Sequence, residues 1–67
     1  MKHHEESLNW SVIVGEGGAA TIRVGTELRE YKTLKQALRF WVRKKDPVWL
    51  RADVTRTLKK IQAIEER

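Results

Sequence analysis

Apolar and polar positions alternate with period two through the first half of the chain and change to a 3.6-residue period at Thr33. Leu8, Trp10, Val12 and Val14 alternate with Asn9, Ser11 and Ile13, the pattern of a strand with one face on a core. Ile13 interrupts the otherwise polar second face. Gly15-Glu16-Gly17-Gly18 follows, and because glycine reaches positive φ without steric cost, this segment predicts a hairpin turn. A second alternation sets Ala20, Ile22 and Val24 against Thr21 and Arg23 and ends at Gly25-Thr26. The two strands are expected to pair antiparallel with their apolar faces on one side. Glu27 to Tyr31 is expected as a short third strand with Leu28 inward. Residues 1–7 have no apolar periodicity and are expected as a flexible tail.

Thr33-Leu34-Lys35-Gln36 reads as a capping box, with the threonine oxygen accepting the Gln36 N–H and the Gln36 side chain reaching back. Leu34, Ala37, Leu38, Trp41 and Val42 then share one stripe of a helix that faces the sheet. Lys35, Arg39 and Arg43 recur every fourth residue on a separate, solvent-facing stripe. Lys44 and Lys45 are expected to close this helix, where cations complement the negative end of its dipole. Asp46 is the expected N-cap, and Pro47 the first residue, of a second helix running to near Glu65. Its apolar stripe is Leu50, Val54, Leu58, Ile61 and Ile64, with Thr57 on the same face. No repeat, low-complexity tract or linker divides the chain. The expectation is one small α+β domain over residues 1–67, an antiparallel β-hairpin or three-stranded sheet followed by two α-helices, ββ(β)αα.

Size and charge alter this picture in two ways. A chain of 67 residues buries only about 60% of the surface that its unfolded form exposes, so its stability margin is thin. With no cysteine and three tryptophans, the fold must rest on apolar packing. The charge is also uneven. Residues 1–32 carry four Lys/Arg against five Glu, and residues 33–67 carry ten against four acids, giving −1 and +6. A cationic half attracts polyanions or acidic protein surfaces, whereas a near-neutral half can serve as scaffold.

No catalytic constellation stands out, and an enzyme is not expected. The seven Ser/Thr residues have no histidine partner in the patterned region to act as general base. His3 and His4 are adjacent and form no ligand spacing with Glu5 and Glu6, so no metal site is expected. The glycine run joins strand to strand without a following Lys-Ser/Thr, so no nucleotide or other cofactor is expected either. No apolar run approaches the roughly 18 residues of a membrane span, and the first residues are too polar for a secretory signal, so no membrane partner and a cytoplasmic location are expected.

The stronger signal is cations interleaved with aromatics that lie off the apolar stripes. Phe40 lies about 120° from the centre of the first helix's stripe, and Trp49 falls on the line of Asp53, Arg56 and Lys60. Such rings can stack on exposed bases while Lys35, Arg39, Arg43, Lys44, Lys45, Arg56, Lys59 and Lys60 neutralise phosphates. The first expectation is therefore a small basic protein that binds nucleic acid through Lys35, Arg39, Phe40, Arg43, Lys44, Lys45, Trp49, Arg56, Lys59 and Lys60. The alternative is a protein-interaction module or inhibitor that engages an acidic partner surface. In one version it is a homodimer burying Leu58, Ile61 and Ile64 of the second helix. Trp10, Val12 and Val14, the Gly-Gly turn, Ile22-Arg23-Val24-Gly25-Thr26 and a following helix resemble the sheet-plus-helix of AP2-like domains. That resemblance implies a sheet facing DNA. The outward strand positions Asn9, Ser11, Ile13, Thr21 and Arg23 hold one cation, so no residue role is carried over.

Overall fold

A computed structural model describes residues 3–66. Strands β1 (His3–Glu6), β2 (Trp10–Val14), β3 (Ala20–Val24) and β4 (Glu27–Tyr31) precede helices α1 (Leu34–Phe40) and α2 (Val48–Glu65). The strands form one antiparallel sheet in sequential order, an α+β fold with one strand more than the expected three. Both alternating segments are strands, and they pair as anticipated, with Val12 opposite Ile22 and Val14 opposite Ala20. Gly25 has φ +61°, while among the described residues none other than glycine is left-handed. Its two-residue link to β4 therefore has the φ pattern of a II′ turn, in which glycine takes the first position.

That tight link fixes the register of β4 and overturns one expectation. Ile22 faces Arg29 and Val24 faces Glu27, and residues directly opposite one another share a face. Leu28 is therefore turned away from the helices and is 63% exposed, while Arg29 is buried among the core. The expected tail is also corrected, since from His3 it is a paired edge strand, with Glu5 opposite Val12. Residues 1 and 2 lie outside the described residues. Leu8, expected on the strand's apolar face, sits in the β1–β2 turn and is 92% exposed.

Both helices pack on the Trp10–Val12–Val14 face. α1 lies over β3 and β4, and α2 lies over β2 and against α1. Thr33 caps α1 by accepting the Gln36 N–H at 3.0 Å, while Gln36 Oε1 accepts from the Lys32 N–H at 3.2 Å, one residue before the position anticipated. α1 ends at Phe40 rather than at Lys45. Trp41 is its C-cap and is fully buried, whereas Val42, beyond the helix, points out. Lys44 and Lys45 occupy a turn closed by the Asp46 N–H on the Arg43 carbonyl at 3.0 Å. α2 begins at Val48 with Pro47 as a cap that makes no side-chain bond. Asp46 does not cap it because its carboxylate is engaged by Arg29 and the Arg43 N–H.

Leu50, Val54, Leu58 and Ile61 are buried, while Ile64 remains 45% exposed. The homodimer seam expected at Leu58, Ile61 and Ile64 is thereby corrected. Two of its three residues are consumed by the chain's own core.

Candidate nucleic-acid interface

The helical layer's outward geometry is set from beneath by Arg29. Its guanidinium donates to Asp46 in a two-pronged pair at 2.7 and 3.0 Å, to the Trp41 carbonyl at 2.7 Å and through Nε to Glu27 at 2.6 Å. Asp46 accepts in addition from the Arg43 N–H at 2.8 Å. One buried cation thus ties the start and the end of the α1–α2 loop to the sheet. Hydrogen bonds from Arg29 hold the Asp46 carboxyl below the usual carboxylate range, against the opposing effect of burial. The same hydrogen bonding raises Arg29, and Glu27 is lowered chiefly by its bond from Arg29. On the strand side, the Tyr31 hydroxyl donates to the Phe40 carbonyl at 3.2 Å.

Above this base, Lys35, Arg39, Phe40 and Arg43 stand together on and just after α1. The Arg39 guanidinium lies 5.6 Å from the Phe40 ring centroid, within cation–π range. The ring is nevertheless 54% exposed. Arg43 donates to the Phe40 carbonyl at 3.0 Å, which holds its guanidinium beside the same residue. Lys44 follows in the exposed turn. Lys35, Arg39, Arg43, Lys44 and Lys59 are exposed, and among the described residues no carboxylate lies within ion-pair distance of them.

The remaining expected residues lie elsewhere or are paired. Lys45 reaches Glu27 on β4 at 3.9 Å, and Lys60 reaches Glu5 on β1 at 3.5 Å. These acids stand on opposite edge strands of the sheet, so their lysines lie on opposite flanks of the molecule. Arg56 pairs with Asp53 at 3.0 Å. Trp49 is 51% exposed in the first turn of α2, on the helix line that leads through Asp53 and Arg56 to Lys60. Lys45 and Lys60 are therefore separated by the width of the sheet.

The α1 group borders a hollow of about 270 Å³ lined by Thr33, Lys35, Gln36, Arg39 and Phe40. A second hollow, of about 380 Å³, opens at the β2–β3 turn and is lined in part by Glu16, Glu65 and Glu66 together with Lys35. Sequence reasoning missed the roles of Glu27, Arg29, Tyr31 and Asp46 in positioning the loop, Asp46 being expected only as the α2 cap. The Gly25-Thr26 turn contained the signal for three of them, because a two-residue link sets positions 27, 29 and 31 opposite 24, 22 and 20. Comparison with protein-family models, curated proteins and solved structures yields no match. Among the described residues, no helix is long and apolar enough to cross a membrane.

Proposed function

We propose that this chain is a non-enzymatic, cytoplasmic nucleic-acid-binding protein whose contact surface centres on α1. The observation that carries the reading is the exposed Phe40 ring flanked by Lys35, Arg39 and Arg43, none of them paired with a carboxylate among the described residues. Arg56 and Lys60 each stand beside an acid that offsets part of their field, so they attract a polyanion less than their number suggests. Lys44 extends the surface along the loop. The arrangement offers charge and an aromatic face, which serve backbone contact and stacking, and it offers no recognition element for reading base edges.

The test is binding to labelled single-stranded and duplex DNA over a salt series, with wild type beside Arg39→Gln/Arg43→Gln. Log affinity should fall linearly with log salt. Two lost phosphate contacts should flatten the slope by about 1.4 on single strands and about 1.8 on duplex. Failure to bind either polymer at low salt would reject the reading. A second reading, an anchor for an acidic protein surface, rests on Val48 and Trp49, which are exposed at the start of α2 off its buried stripe. Under that reading Trp49→Ala weakens partner binding and leaves DNA affinity unchanged.

A further inference from the structure

The α1 hollow has a chemical asymmetry that names its ligand more closely. Thr33 Oγ1 already accepts the Gln36 N–H, and Gln36 Oε1 already accepts the Lys32 N–H. The groups still able to donate outward are the Thr33 hydroxyl hydrogen, the Gln36 amide NH₂, the Lys35 ammonium and the Arg39 guanidinium. Thus the side-chain lining donates on nearly every side, carries two positive charges and ends on one half-exposed aromatic ring. A group that satisfies all three properties is rich in acceptors, anionic and flat on one part. A nucleotide has that combination, with acceptor oxygens on its phosphate and a π face on its base.

Size decides how much of the ligand is held. At about 270 Å³ the hollow falls just short of the roughly 300–1,000 Å³ of sites that enclose a whole small molecule. It takes a part of a longer ligand and leaves the remainder outside. Duplex structure hides the faces of its bases within the stack, so the Phe40 ring can meet a base face only where the strand is unpaired. Lys35 and Arg39, four residues apart on one helix face, supply charge along the same side.

We infer that this hollow is a binding site for an unpaired nucleotide of a single-stranded nucleic acid, with the base stacked on Phe40 and its phosphate met by Lys35 and Arg39. The inference rests on the proposed function and adds the strand type and the stacking residue. The experiment compares wild type, Phe40→Ala and Phe40→Trp on oligo(dT) of about a dozen nucleotides and on duplex of matched length, by anisotropy at several salt concentrations. Phe40 is exposed, so both variants should keep the fold, and circular dichroism verifies this. Oligo(dT) should bind wild type about tenfold or more tightly than duplex at equal salt. Phe40→Ala should weaken oligo(dT) binding by about 5- to 150-fold, the range of one lost stacked base. Phe40→Trp should retain the preference, and the salt slope should stay the same because no cation is removed. Salt-dependent binding with no single-strand preference and no effect of Phe40→Ala would overturn the stacking site while leaving nucleic-acid binding intact. Absence of binding to both polymers would overturn both.

Discussion

At the scale of single residues, the feature that most constrains this protein is a buried arginine on an edge strand expected to turn Leu28 inward. Arg29 and Asp46 are both nearly inaccessible and satisfy each other through two short bonds. Removing one partner of a buried pair typically costs about 3 to 5 kcal/mol because the other charge stays buried and uncompensated. Total stability for 67 residues is only about 3 to 10 kcal/mol at ordinary values per residue. Asp46→Ala should therefore unfold a large share of molecules at 25 °C, whereas Arg29→Met/Asp46→Leu should recover much of the loss. Urea melts of the three proteins read this directly. The pair also sets an acid limit. Asp46 has a folded-state pKa below its unfolded value, so its contribution is complete above about pH 4 and is lost as pH falls through the folded value. Wild-type melting temperature should drop below about pH 4, and the double variant should drop less. The buried tryptophans differ in a related way. Trp41 Nε1 donates to Thr55 at 3.3 Å, while Trp10 Nε1 is buried without a partner. An unsatisfied buried donor costs about 1 to 3 kcal/mol, which removal of that N–H in Trp10→Phe relieves. Trp41→Phe should therefore destabilise more than Trp10→Phe; equal losses in urea would count against this assignment.

At the scale of elements, the helices depend on different devices. α1 is seven residues long, too short to hold itself by propagation. It relies on Thr33 at one end and on Trp41 buried at the other. Thr33→Ala should cost about 1 kcal/mol, the usual value of a lost cap, and Thr33→Asp should retain most of it; thermal melts distinguish them. α2 lacks a side-chain cap and is held by Leu50, Val54, Leu58 and Ile61. The readability of each element in the sequence follows the same division. β2, β3, the Thr33 cap and the buried part of the α2 stripe were legible because apolar periodicity or cap chemistry reports them. β1 was not, because His3-His4-Glu5-Glu6 has no apolar alternation. Its pairing rests on backbone bonds and on side-chain contacts such as His3 Nε2 with Glu65 at 3.2 Å and the ion pair of Glu5 with Lys60 at 3.5 Å, which connect residues distant in sequence. Asp46 misled for a different reason. Asp-Pro is a good local cap signal, but a buried guanidinium competes for the same carboxylate and wins. Of the candidate site, the α1 cations and the off-stripe Phe40 were legible from the helical wheel. Their separation from Lys60 was not, since it depends on which sheet edge each helix covers.

At the scale of the whole molecule, that separation can be tested as a difference in electrostatic range. The molecule measures 32 × 20 × 19 Å along its principal axes. A Debye length is about 8 Å near 0.15 M salt and about 30 Å at 0.01 M. Charges on opposite flanks thus act nearly independently at the higher salt and together at the lower. Arg39→Gln/Arg43→Gln and Arg56→Gln/Lys60→Gln each remove two positive charges, so their effects on net charge are identical. At about 0.01 M both should weaken binding to oligo(dT), because the ligand senses the entire field. At about 0.15 M only the first should matter, because Arg39 and Arg43 flank Phe40 while Arg56 and Lys60 already answer Asp53 and Glu5. The expected sign is therefore a ratio of the two variants' affinities that moves away from unity as salt rises. Parallel losses at every salt would mean that the ligand follows total charge rather than the α1 surface.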